Sequence, residues 1–185
     1  MMNFKNYLLS SIALVVCAVG SNFIFTGVAQ DDSEFSKPTI DIGCVVSDID
    51  ASVKFYTEVI GFEESAGFKV GAEYADKVGL TDKKALDVKV LTLGSGEGAT
   101  QLKLMQIEGD SATAANEHIH STLGFSYITV HVASTEKALK RLEAAGVETV
   151  AGSPLPIAGA EHVTLTIIRD PDGNLVELVG PSVKK

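Results

Sequence analysis

Apolar and polar positions alternate along much of this chain, and in two places the alternation gives way to a helical period. In TIDIGCVV, Thr39 to Val46, the residues Ile40, Ile42, Cys44 and Val46 fall on one side and Asp41, Gly43 and Val45 on the other. That is the pattern of a strand with one face in an apolar layer. In SDIDASVKFYTEVIGF, which follows, Val53, Tyr56, Val59 and Ile60 make one stripe, with Ser47 or Asp48 as cap and Gly61 as stop. This predicts an amphipathic helix. Strands are predicted over Phe62–Val70, Asp87–Leu93 and Thr100–Gln106, with a helical turn in AEYADKVGL.

A polar segment, Glu108–Ser121, interrupts, and the pattern then restarts. FSYITVHV reads as a strand with Ile128, Val130 and Val132 on one face and Tyr127, Thr129 and His131 on the other. STEKALKRLEAAGV reads as a helix capped by Ser134, turning Ala138, Leu142 and Ala145 inward and ending at Gly146. Strands over Val147–Ala151, His162–Arg169 and Asn174–Val179 complete the second half. The helix-ending glycines Gly61 and Gly146 stand 85 residues apart, and the opening strands superpose at nearly the same offset. The chain is thus a strand–helix–three-strand module used twice, an α+β arrangement of two βαβββ modules. Module one spans 39–106, a linker 107–123, and module two 124–181.

The first 29 residues have a different character. Lys5 is their only charged side chain, an apolar stretch follows from Tyr7, and Gly27-Val28-Ala29 is a small-x-small cleavage site. This is the layout of a secretory signal peptide, which predicts export to the periplasm or the exterior. Uncleaved, Tyr7–Ala29 is long enough to anchor the chain in a bilayer, although Ser10, Ser11, Ser21 and Asn22 interrupt it. A lipid on Cys17 is disfavoured by the bulky Val16 before it. Residues 30–38 form a polar, flexible lead-in.

Charge narrows the partners. The formal net charge of −9 becomes −10 once Lys5 is removed, and Arg141 and Arg169 are the only arginines. No basic face is available for a phosphate backbone, so nucleic acid is excluded as a partner. After cleavage Cys44 is the single cysteine, so no internal disulfide forms and the fold stands on its core.

VSDIDASVKFYTEVIGF, RDPDGNLVELVG and GFSYITVHVAS together resemble the vicinal oxygen chelate superfamily, which includes glyoxalases, bleomycin-resistance proteins and extradiol dioxygenases. The resemblance covers Thr39 to Pro181. It implies two curved sheets around a cup, a small-molecule ligand or substrate, and a tendency to dimerise. It also implies four inward strand positions that supply metal ligands, here Asp41, Lys103, Tyr127 and Glu177; a two-residue slip would put Gln101 in place of Lys103.

That set departs from the metal-binding pattern. Asp41 and Glu177 are competent oxygen ligands for a divalent metal ion, if one is bound. Tyr127 supplies a phenol, a side-chain type that is a poor metal ligand while it holds its proton, and the Lys103 ammonium repels a cation. No cofactor is therefore predicted. Lys103 is expected instead to stand between the two carboxylates in place of the metal. Glu177 and His131 are the candidate proton-transfer groups, and Asp41, Gln101, Lys103 and Tyr127 the candidate binding groups. His131 reads somewhat more readily as a hydrogen-bonded residue at a strand end than as a proton shuttle. His118 and His120 read as loop residues, His162 carries no assignment, and Asp170 and Asp172 read as turn residues. LGSGEGA resembles a phosphate loop only in its glycines: no helix follows and Glu97 would repel phosphate, so it reads as a hairpin turn.

Two function classes follow. One is a small-molecule binder of the bleomycin-resistance kind with a degraded metal site; the other is a metal-dependent glyoxalase-type lyase or isomerase with Glu177 as base and ligand. An extradiol dioxygenase needs two histidines and a carboxylate, which this set does not supply. A purely structural role in an envelope complex has no sequence feature to support it.

Overall fold

Two four-stranded mixed sheets carry the chain, and each is built from one half of the repeat. In this computed structural model residues 37, 39–96, 98–109, 111–112 and 117–183 are described, all within one compact unit, Phe35–Lys185. The predicted signal peptide and all of the lead-in except Lys37 lie outside them. Module one runs β1 (Asp41–Val45), α1 (Ile49–Lys54) continuing as a π-helical turn (Phe55–Ile60), β2 (Glu63–Val70), α2 (Ala72–Lys77), β3 (Leu86–Leu93) and β4 (Thr100–Met105). Module two runs β5 (Tyr127–His131), α3 (Thr135–Ala145), β6 (Leu155–Ile157), β7 (Ala160–Arg169) and β8 (Leu175–Pro181). The sheet orders are β1-β4-β3-β2 and β5-β8-β7-β6, with a parallel first pair in each. The paired βαβββ reading holds.

One residue separates the two helices. Asp48 and Ser134 both cap with their side chains, Asp48 accepting from the Asp50 and Ala51 amides and Ser134 from that of Lys137. Gly61 and Gly146 both end their helices at positive φ, +103° and +67°, where the absence of Cβ removes the steric cost. The caps are 86 residues apart but the glycines only 85, so module one holds one extra helical residue. The π-helical turn absorbs it, as such bulges do. Phe55, Tyr56, Val59 and Ile60 are thereby all buried, a wider apolar face than the predicted stripe of Val53, Tyr56, Val59 and Ile60.

The helix-facing sides of both sheets share a core. Leu91, Leu102 and Leu104 of module one and Val130, Ile168, Val176 and Leu178 of module two belong to one apolar cluster with the helix residues. Cys44 packs against it, and burial, with Asp170 and Asp172 nearby, pushes its thiol up to about 11. The predicted strand at Val147–Ala151 is absent: Thr149 makes an isolated bridge to Ile168, and the strand lies at Leu155–Ile157. Pro154 precedes this strand and Pro156 lies within it, and at a sheet edge a missing N–H is tolerated.

The DPDG turn does more than reverse the chain. Asp170, 5% exposed, accepts at Oδ1 from the Asp172 and Asn174 amides at 3.1 and 2.8 Å. At Oδ2 it accepts from Tyr56 Oη of module one at 2.8 Å and Asn174 Nδ2 at 2.9 Å. Asp172 accepts from the Ser47 amide at 3.2 Å. Arg141 of α3 donates to the Val59 and Ile60 carbonyls at 3.0 and 3.4 Å. Burial, followed by the Asp170 charge and hydrogen bond, raises the Tyr56 pKa far above the ordinary tyrosine range.

Removing the hydroxyl with Tyr56→Phe is expected to lower the unfolding free energy by about 1.5–3 kcal/mol, the usual cost of losing a bond to a charged group, in urea titrations. Because the folded-state pKa of Tyr56 is raised, its contribution is full below the unfolded value of about 10 and lost as pH rises beyond it. The wild type should therefore lose stability above pH 10 more steeply than the phenylalanine variant. At the β2 bulge, a Cβ on Gly67 would stand 2.3 Å from the Val88 carbonyl oxygen. Gly67→Ala should destabilise by more than the roughly 1 kcal/mol typical of point mutants, in the same assay.

Candidate functional site

Strand alternation puts the chemistry on the sheet faces turned away from the helices. In module one Ile42 and Cys44 pack on the core, so Asp41, Gly43 and Val45 face the open side. The pairing sets Asp41 opposite Gln101, Gly43 opposite Lys103 and Val45 opposite Met105. Lys103 Nζ donates to Asp41 Oδ2 at 2.9 Å, and Lys37 Nζ donates to Asp41 Oδ1 at 2.7 Å. The Lys103 ammonium also lies 5.9 Å from the centre of the Phe68 ring, within cation–π range. Hydrogen bonds from Lys37 and then Lys103 hold the Asp41 carboxyl below its ordinary value.

The second module repeats this register with other side chains. Val46 and Val132 donate their amides to Met105 and Val179 respectively, which makes the two strand pairs equivalent position by position. Asp41 corresponds to Tyr127, Gly43 to Thr129, Val45 to His131, Gln101 to Leu175, and Lys103 to Glu177. The register thus settles the two-residue slip: Lys103, not Gln101, is the counterpart of Glu177. Thr129 Oγ1 donates to Glu177 Oε2 at 2.8 Å. Tyr127, Thr129 and His131 are exposed and Glu177 is partly buried.

The predicted residues therefore gather as two groups. Asp41 and Lys103 bond directly, with Gln101 beside them on the same face; Tyr127, His131 and Glu177 share the open face of module two. The expected bridge from Lys103 to Glu177 is absent among the described residues: Lys103 pairs with Asp41, and Glu177 takes Thr129 instead. The reason is in the sheets, since β4 and β8 belong to different ones. No three His, Cys, Asp or Glu side chains come together as a metal-holding group among the described residues.

Three participants escaped the sequence reading. Lys37 falls in the lead-in, and outside a helix its four-residue spacing from Asp41 does not signal the ion pair they form. Thr129 was placed on the correct face without a role. Phe68 reaches Lys103 through the β2 bulge between Ser65 and Phe68, which no pattern of alternation announces. His118 and His120 stack at 5.5 Å on the exposed linker, and His162 is exposed at the start of β7.

Comparison with known proteins places this arrangement. Among solved structures, a glyoxalase family protein from Bacillus cereus superposes with a TM-score of 0.68 at 19% identity, over 84% of this chain and 100% of that one. A trypanothione-dependent glyoxalase I from Leishmania major gives a TM-score of 0.52 at 22% identity, over 76% and 84%. A glyoxalase I variant from Zea mays gives 0.56 at 20% identity, over 76% of this chain and 46% of that one. At these identities the likeness establishes the fold. No curated protein sequence matches the chain. Residues 41–178 match the Glyoxalase/Bleomycin resistance protein/Dioxygenase superfamily, and the chain belongs to that family.

Proposed function

We propose that the chain is an exported small-molecule-binding protein of this family, in which a lysine ammonium has replaced the metal on the open face. The observation that carries the reading is the Lys103–Asp41 pair at 2.9 Å. Export rests on the N-terminal charge and hydropathy layout and on the Gly27-Val28-Ala29 cleavage site.

A divalent ion does not fit the residues present. Each oxygen of Asp41 already accepts from an ammonium. The counterpart positions supply a second carboxylate, Glu177, and a phenol, Tyr127, which is a poor ligand while protonated. A cation placed beside Asp41 would have to displace both lysines, and the remaining donors fall short of the three or four that such sites use. No proton-transfer step through a metal is therefore assigned to Glu177 or His131.

The purified chain is expected to carry far less than one equivalent of zinc, nickel, manganese or iron by elemental analysis, and its melting temperature should not move with chelator. A near-stoichiometric metal would overturn the reading in favour of the glyoxalase-type lyase with Glu177 as base. A small-metabolite thermal-shift screen should yield at least one stabilising ligand, since a compound at 100 times its Kd adds about 2.7 kcal/mol.

The ion pairing has its own signature. Lys103→Gln and Lys37→Gln should each raise the Asp41 pKa towards its ordinary 3.8, read from the carboxyl carbon by NMR titration. Because the folded value is depressed, the stabilisation lost in these variants exists above the unfolded value of about 3.9 and vanishes as pH falls through the folded one. Identical Asp41 titration curves in wild type and variants would remove the pairing from the argument.

A further inference from the structure

Two ammonium groups on one carboxylate leave a surplus of positive charge. Lys37 and Lys103 each bond a different oxygen of Asp41, and the lowered Asp41 pKa keeps that carboxyl ionised, so the triad carries a net charge of +1 in a chain whose formal total is −9. An ammonium has three N–H donors, and Asp41 takes one from each lysine. Ion pairs this exposed, with Lys37 at 40%, Asp41 at 23% and Lys103 at 29%, contribute little to stability. The core and the intermodule bonds hold the module without them.

The register shows what lies beside the surplus charge. Gly43 stands opposite Lys103, where module two has Thr129 covering Glu177, so no side chain covers the ammonium from β1. The next row across the sheet is apolar: Val45 opposite Met105, Met105 opposite Val88, and Val88 opposite Phe68. Val45 and Phe68 are 45% and 46% exposed while Val88 is buried. A charged row with spare donors thus runs directly alongside an apolar row whose two ends, Val45 and Phe68, are open to solvent.

We propose that the Lys37–Asp41–Lys103 triad is the docking point for a small organic carboxylate, whose apolar body lies over Val45, Met105 and Phe68. The proposal rests on the small-molecule reading and specifies its ligand class. Asp41 positions the two ammonium groups and does not touch the ligand. The anion binds through charge-assisted N–H···O bonds, the strong kind. The equivalent point of module two holds the carboxylate of Glu177, which offers no such docking point for an anion.

The test is a 15N NMR titration of the full-length chain with benzoate and with benzamide, the same ring without the charge. Benzoate should saturably shift the Gly43, Val45 and Lys103 amides, and benzamide should not. Lys103→Gln should weaken benzoate about tenfold, the loss of one contact worth about 1.4 kcal/mol. Gly43→Thr, which keeps every charge but covers the ammonium, should weaken it comparably. Lys89→Gln, on the opposite face and paired with Glu64, should not. Equal binding of benzamide, shifts elsewhere on the surface, or unchanged affinity in both Lys103→Gln and Gly43→Thr would overturn the proposal. The wild-type contrast between the two probes decides the matter even if a variant does not fold. Failure of benzoate while another class of metabolite stabilises the metal-free protein would sink this inference and spare the small-molecule reading. Benzoate binding that chelator abolishes, with stoichiometric metal present, would sink both.

Discussion

A carboxyl group taken out of water costs several kcal/mol unless donors replace the solvent, and the carboxyl of Asp170 is buried where the two modules meet. Four donors surround it, three from its own turn and one from Tyr56 on the helix of the other module. The second aspartate of the turn accepts from the Ser47 amide, just ahead of that helix's cap. Arg141 returns the tie by reaching from α3 to the last carbonyls of the π-helical turn. These bonds join loops and helix ends, so they fix where the second sheet stands against the first helix. The open faces inherit their geometry from that docking.

The π-helical turn belongs to the same constraint. An ordinary helix of this length buries a narrow stripe, as α3 does with Thr135, Ala138 and Leu142. One inserted residue widens the turn and lets Phe55, Tyr56, Val59 and Ile60 all point inward. Phe55 and Phe62 then close on the Tyr56 ring edge-on, at 5.2 and 5.9 Å, in the arrangement aromatic pairs favour. The ring is packed on both sides, and its hydroxyl donates to Asp170. Module one gives up helical regularity to supply the donor that module two needs.

Most of the architecture was legible because it is written in short periods. Alternation placed Asp41, Tyr127, Thr129 and His131 on the correct faces, and the side-chain caps and left-handed glycines bounded both helices. What escaped lies outside those periods. The edge strand Leu155–Ile157 hid behind two prolines, and a one-residue helical insertion leaves an apolar stripe almost unchanged. The Tyr56–Asp170 bond joins residues 114 apart in sequence. Lys103 and Glu177 were expected to meet because the resemblance put both in one cup. They hold equivalent positions in two different sheets, and each found its partner on the neighbouring strand of its own sheet.

That equivalence explains why the fold was so much easier to read than the chemistry. A period of two sends alternate residues of β1, β4, β5 and β8 to the core and to the open face, so two sets of side chains share each strand without sharing a constraint. The core set is apolar in both halves: Leu102 and Leu104 correspond to Val176 and Leu178. The open set is Asp, Gly, Lys in one half and Tyr, Thr, Glu in the other, on the same backbone register. Exchanging a cation for a carboxylate at one such position inverts the local charge without disturbing the packing beneath. Folding therefore constrains the inward residues and leaves the outward ones freer to differ, which is why belonging to this family specifies a scaffold and not a reaction.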